Sequence, residues 1–406
     1  MTAFLRSPCF PVALLLALGP AVAVAQFRTF APMVPVILLL AVIAHWRIHR
    51  RLPWPRMSPL LALSLALAAW GVVASVWSPE LLRGVETAAA LGALAFLGAA
   101  AAQALSEDTA ENRRRLGRAL VIGLVLGIAL LAFDHASQNL FRRAVRGFPT
   151  WTPFIGFGLK PAVSILALLL PLVLAVPGLS RIAKAAILLP GLAVALWLPG
   201  ESAKIAAVAG VIVALLATLA PRAVARLSAA ALAVVFIAAP LLFTAALARA
   251  PDLSPLPVSA AHRVLIWDFV GDRIAERPLL GWGMESSRAI PGGTQTFDRG
   301  TLDRFGLDSP AERAGFAVPN AQRLPLHPHN NALQVWLELG LVGAVIAAAL
   351  GAAAMLAAGA IGPAALGVAV SAAVTGQLSF GAWQPWWVAA MIFAAAVIAG
   401  LAPRRA

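Results

Sequence analysis

The sequence predicts an all-α, polytopic membrane protein, and three observations carry that expectation. Apolar residues make up 61% of the 406 and charged residues only 12%, about half the charged share of a soluble domain. Mean hydropathy is +0.87. Apolar runs near the ~20 residues needed to cross a bilayer recur along nearly the whole length. These features exclude a soluble globular protein, a disordered chain and a fibrous repeat. The single Cys9 lies inside the first apolar run, so there is no disulfide framework and no cysteine metal site. A net charge of +14 would suggest nucleic acid in a soluble domain. Here it reads as basic cytoplasmic loops and a basic site for acidic substrates.

About twelve transmembrane helices are expected, near 8–25, 31–46, 59–77, 86–105, 119–133, 161–178, 185–199, 203–220, 228–248, 332–358, 361–377 and 385–402. The run at 119–133 is short for a span and can start earlier. Near 358–361 only Gly359 and the Gly362-Pro363 pair mark a turn. Three regions follow. Residues 1–248 form an N-terminal bundle of about nine helices, 249–331 one large loop, and 332–406 a group of about three more helices.

Orientation comes from lysine and arginine in the short loops. One alternating set carries Arg47, Arg50, Arg51 and Arg56, then Arg113, Arg114, Arg115 and Arg118, then Arg181, Lys184, Arg222 and Arg226, with Arg404 and Arg405 in the tail. The other holds Arg28, Arg83, Arg142, Arg143, Arg146, Lys160 and Lys204. The first is richer and is assigned to the cytoplasm, which puts both termini inside and the 249–331 loop on the periplasmic face. Arg6, an apolar core and Ala23-Val24-Ala25 also resemble a cleavable signal peptide, but the first helix is expected to be retained. No internal repeat is visible. The ionisable residues near membrane depth, Glu86, Lys204 and Glu338, cluster at outer helix ends. An ion or proton pathway needs charge at mid-membrane, so transport is disfavoured and the polar chemistry belongs to one face.

In the loop, Ser259 is a good N-cap for a helix over about 260–276. Arg263, Trp267, Val270 and Ile274 share one face of it, and the helix is expected to lie along the membrane surface. Arg277-Pro278 ends it, Gly281-Trp282-Gly283 turns the chain, and 284–326 reads as irregular. His327-Pro328-His329-Asn330-Asn331 then leads into the next apolar run. Asn331 and Gln334 have capping-box spacing, and the helix N-terminus they open favours an anion. Each of these residues also has a plainer reading. The two histidines can be loop packing, or weak metal ligands lacking further partners. Arg263 and Lys204 can snorkel to lipid headgroups. Gly340 and Gly343 can serve close helix packing. Asp268 and Asp272 are one turn apart but form no Asp-x-Asp pair.

Residues 324–343, LPLHPHNNALQVWLELGLVG, resemble the signature of the O-antigen ligase and O-antigen polymerase superfamily. There a His-Asn step enters a helix that continues with Leu-Gln and Glu-Leu-Gly. The stretch HRVLIWDFVGDRIAERPLLGWG (262–283) is similar to the family's Arg-x-x-x-Trp segment ending in Pro-x-x-Gly-x-Gly. Weaker echoes occur in WSPELLRGVE (77–86) and LKPAVSILALLLPL (159–172). The order of about nine helices, a large loop and a His-Asn helix also fits.

The resemblance implies a glycosyltransferase of the bacterial inner membrane that acts in lipopolysaccharide biosynthesis. The donor would be a polyprenyl diphosphate carrying a glycan. The acceptor would be a hydroxyl on lipid A-core for a ligase, preferred here, or on a growing chain for a polymerase. A transporter or flippase of such a lipid is the alternative outside the enzymes. His329 matches the histidine held to act on the acceptor hydroxyl, and Arg263 an arginine held to bind the diphosphate. His327 and Asn330 join the substrate-binding set. A second arginine is expected near 201–206, where this chain has Glu201-Ser202-Ala203-Lys204. Lys204 is the nearest cation but keeps neither the residue type nor the spacing, and lysine lacks the bidentate fork of arginine. A sugar diphosphate already carries a good leaving group, so neither metal nor cofactor is expected. The enzyme must take a proton from the acceptor and neutralise the departing diphosphate, and direct attack inverts the anomeric centre.

Overall fold

The computed structural model describes residues 2–149 and 156–402, so Arg404 and Arg405 lie outside the described residues. Within them the fold is all-helical, with no strand and one isolated antiparallel bridge, Thr296 to Gln322. Each apolar stretch falls in a helix. The first nine are α1 (Cys9–Gln26), α2 (Phe30–His49), α3 (Pro59–Ser75), α4 (Leu81–Glu107), α5 (Ala110–Ala136), α6 (Lys160–Leu169, tightening over Leu170–Ala175), α7 (Arg181–Trp197), α8 (Glu201–Leu219) and α9 (Pro221–Leu247). The helix α10 (Val258–Glu276) lies in the long loop, and α11 (Asn331–Ile361), α12 (Pro363–Leu378) and α13 (Pro385–Leu401) complete the chain. Helices are what lipid permits, because every backbone group there must bond within the chain.

Among the described residues, six helical runs are long and apolar enough to cross a membrane: Cys9–His49, Leu81–Glu107, Ala110–Ala136, Glu201–Leu219, Pro221–Leu247 and Asn331–Ile361. Pro59–Ser75, Lys160–Ala175, Pro363–Leu378 and Pro385–Leu401 are apolar but shorter. Large apolar side chains face outward along them, among them Leu82, Leu219 and Leu241, at 75%, 83% and 76% exposure. Outward apolar surface of this extent belongs in lipid. The chain is a multi-pass membrane protein.

The pairs α9 with α11, α1 with α5, and α8 with α12 pack most closely, and α4 binds α3 and α13. One end of the bundle is held by Glu107, which accepts from Gln103, bonds His45 Nε2 at 2.7 Å and pairs with Arg51 at 2.8 Å. The other end gathers the 249–331 segment and the polar interruption 377–385. There the fully buried Arg142 donates to Asp134 from its backbone N–H (2.9 Å) and its Nε (2.6 Å).

Several local expectations are corrected. Ser259 does not cap α10: the helix begins at Val258 after Pro257, with no side-chain cap, so Ser259 lies in its first turn. The cap of α11 is Asn330 rather than Asn331. Asn330 Oδ1 accepts from Leu333 N–H at 2.9 Å. The pairing of Asn331 with Gln334 therefore makes no capping box, and Gln334 reaches Glu338 instead. The 284–326 segment is only partly irregular, since it contains the short helices Arg299–Arg304 and Pro310–Phe316.

Gly340 does more than allow packing. It breaks α11 with φ +64°. The segment 278–283 enters the gap and bonds across it. Trp282 N–H donates to the Leu337 carbonyl (2.8 Å), Gly283 N–H to Glu338 (2.8 Å), and Leu341 N–H to Pro278 (2.9 Å). Trp70 Nε1–H takes the Leu339 carbonyl at 3.0 Å. Buried backbone groups must find partners, and this exchange supplies those the break removes. A Cβ on Gly340 would stand 2.3 Å from the Leu279 carbonyl oxygen.

Gly340→Ala is accordingly expected to cost roughly 2–4 kcal/mol, the backbone strain plus displacement of the inserted segment. Gly178 also has positive φ (+76°) but open space around it, so Gly178→Ala costs about 1 kcal/mol, the backbone part alone. Thermal unfolding of the two variants in detergent checks this, and equal losses would contradict the inserted-segment account.

Candidate functional site

The site forms where α11 begins. Pro328 precedes His329, which sits at φ +58°, a left-handed conformation uncommon outside glycine. Asn330 closes the turn by capping α11, and its Nδ2 donates to the Gln377 carbonyl at 3.1 Å. Gln377 Oε1 in turn accepts from Ala332 N–H at 3.3 Å. The strained turn is thus held by the end of α12 and by the helix it starts.

This hold decides the chemistry of His329. Its Nδ1 lies 2.6 Å from the Ser379 carbonyl. A carbonyl only accepts, so Nδ1 carries the hydrogen and Nε2 of the neutral ring keeps its lone pair. His327 is polarised oppositely: its Nδ1 accepts from His329 N–H at 3.2 Å, which leaves hydrogen on Nε2. The two rings meet edge-on, 4.3 Å apart. Burial lowers His329 to about 4, with the charges of Arg263 and Lys160 pushing the same way against the Ser379 hydrogen bond. His327 is held well below its ordinary range by burial, then by His329, Arg288, Lys160 and Arg263. Both are neutral near pH 7.

Arg263 comes from α10, which is fixed beside this turn by Trp267 Nε1–H donating to the Pro328 carbonyl at 2.8 Å. The predicted partners Arg263, His327, His329 and Asn330 are therefore brought together. Lys204 is placed differently. Its Nζ bonds Glu201 at 2.8 Å. Asn330 spends both ends of its amide within the protein.

Sequence reasoning missed the support around Glu338, fully buried in α11. Its carboxylate accepts from Glu285 N–H (2.7 Å), Ser287 Oγ (2.5 Å), Gln334 Nε2 (3.0 Å) and Trp383 Nε1 (2.7 Å). Four donors satisfy a carboxyl group that would otherwise be costly to bury. They tie α11 to the loop that carries Arg288, whose Nε bonds Glu285 at 2.8 Å. The segment 77–87 joins the same knot. Ser78 Oγ donates to the Met284 carbonyl at 2.7 Å, and Thr87 Oγ1 to Glu285 at 3.1 Å. A lone carboxylate in an otherwise apolar run, and the polar stretch 377–385 between apolar ones, were the available signals.

Comparison with known proteins follows the same segments. A family model described as O-antigen ligase matches residues 166–348. A provisionally named polysaccharide ligase of Rickettsia conorii is 26% identical over 343 residues, covering 82% of this chain and 77% of that protein. A similarly named protein of Rickettsia felis is 24% identical over 368 residues, 86% of this chain and 84% of its own. One from Rickettsia prowazekii reaches 33%, but over 135 residues, 32% of this chain and 29% of that protein.

In the free protein, 15N NMR of histidine-labelled samples should find His329 as the neutral Nδ1–H tautomer at pH 6. Protonation should set in only as the pH falls towards about 4. A His329 ring titrating near the ordinary ~6.5 would contradict the burial and carbonyl anchor described above.

Proposed function

The chain belongs to the O-antigen ligase superfamily, and from that premise we propose that it is a glycosyltransferase moving a glycan from a polyprenyl diphosphate to an acceptor hydroxyl, such as one on lipid A-core. The site end of the bundle then faces the periplasm, and the protein sits in the bacterial inner membrane through about twelve helices. The observation that carries this reading is the tautomer of His329. Its free Nε2 lone pair stands next to cations at a helix mouth, which pairs a proton acceptor with an anion site.

The acceptor hydroxyl gives its proton to His329 Nε2 as its oxygen attacks the anomeric carbon. The bond from that carbon to the diphosphate oxygen breaks, and the polyprenyl diphosphate leaves with its electron pair. Attack from the opposite face inverts the centre. Arg263 offers a planar fork to the diphosphate. The same cations that depress His329 in the free protein are neutralised when the diphosphate binds, so the donor raises the basicity of the base it needs. His327 Nε2–H is a donor toward the substrate, and Asn330 is a positioning residue for the turn. For the lipid tail there is an apolar cavity of about 410 Å³ along α11, from Asn331 and Gln377 beside the site to Ile361 and Ile398.

Deleting the protein tests the reading through the lipopolysaccharide banding pattern. Polymer lost from lipid A-core but retained on the carrier is the expected result. A single repeat unit on the core would mean a polymerase, and an unchanged pattern would overturn the assignment to lipopolysaccharide.

His329→Ala should abolish transfer in a folded protein, with His327→Ala milder. Arg263→Ala should weaken donor binding, and Arg263→Lys should restore only part of it. Transfer and donor-binding assays on purified variants check these. Near-wild-type activity in both histidine variants would remove the base assignment, and unaltered donor binding in Arg263→Ala would return that residue to lipid headgroups.

A further inference from the structure

Many cations at this end of the bundle are paired with carboxylates. Lys204 is paired with Glu201, Arg273 with Glu276, Arg288 with Glu285, Arg304 with Asp268, Arg313 with Asp303 and Arg323 with Asp298. Lys160 and Arg263 have no carboxylate partner among the described residues. Both are only partly exposed, and they lie near enough for their charges to act on each other. Like charges brought together away from water, with no carboxylate between them, call for an anion from outside.

The fold builds a place for Lys160. It opens α6, and its stem lies against Gly200, the residue before α8. Gly200 has φ +127°, and a Cβ there would stand 3.1 Å from Lys160 Cγ. Lys160 Nζ sits 5.3 Å from the centre of the Phe380 ring. Phe380 follows Ser379, whose carbonyl anchors His329. The ammonium is thereby aimed at the same turn that Arg263 reaches from α10.

We propose that Lys160 and Arg263 together bind the two phosphates of the donor, with Lys160 as the second diphosphate cation of this chain in place of the arginine expected near 201–206. This rests on the transferase reading for the identity of the ligand and on the geometry for the site. A diphosphate diester carries two negative charges and two cations face it, one a planar fork and one a point charge. A single phosphate, as in a phospholipid headgroup, engages only one of them.

The test is binding of farnesyl diphosphate and farnesyl monophosphate to the purified full-length protein in detergent. Lys160→Met keeps the stem that packs on Gly200 and removes the charge, and Lys160→Gln is a second neutral variant should the first not fold. The wild type should prefer the diphosphate. The neutral variant should lose about tenfold or more of that affinity, with little change for the monophosphate, and Lys160→Arg should retain the preference. Equal diphosphate affinity in wild type and neutral variants would overturn the proposal. So would a loss in Lys204→Ala with none at Lys160. Binding needs no turnover, so the two readings fail separately. Lys160-dependent binding without glycan transfer by the wild type leaves the site standing and removes the transferase. Transfer equally fast in wild type and Lys160→Met does the reverse.

Discussion

A helix broken inside a bundle must find new partners for its backbone, and most of the site depends on how α11 does so. At Gly340 the helical ladder stops, and the segment 278–283 supplies replacement donors and acceptors. The break joins the end of α10 to the helix that starts just after His329. It also presents the Glu338 carboxylate to the 285–287 turn. One backbone event therefore sets the distance between Arg263 on α10 and His329 at the mouth of α11.

The electrostatics follow from that arrangement. Glu338 is saturated by four donors and serves as a hub, not as a counterion for Arg263 or Lys160. Glu276, Glu285 and Asp268 are tied to Arg273, Arg288 and Arg304. What remains is a neutral histidine of fixed tautomer beside unbalanced positive charge. Such a site is poorly satisfied alone, and in the proposed reaction the donor diphosphate would supply the missing negative charge.

Much of this was legible in the sequence. Apolar runs located the helices, because lipid leaves the backbone few alternatives. The residues that motif and spacing singled out, Arg263, His327, His329 and Asn330, lie together at the start of α11. Other features escaped for identifiable reasons. Asn330 and Asn331 are both competent caps, and one residue of frame decides which side chain folds back. Ser259 looked like a cap, but Pro257 sets the first turn. The exchange between 278–283 and 337–342 is backbone pairing across some sixty residues, which no side-chain pattern records. Lys160 was visible only as one loop cation among several, since its nearness to His329 comes from α6, α8 and α12 meeting in three dimensions.

The central claim is a single direct displacement with His329 Nε2 as proton acceptor. It is tested most directly by the stereochemistry of one turnover. Purified protein in proteoliposomes would be given a lipid-linked donor of known anomeric configuration and a lipid A-core acceptor. The new linkage would then be read by NMR. The account predicts inversion at the anomeric carbon. Retention would require a glycosyl-enzyme intermediate and would contradict it.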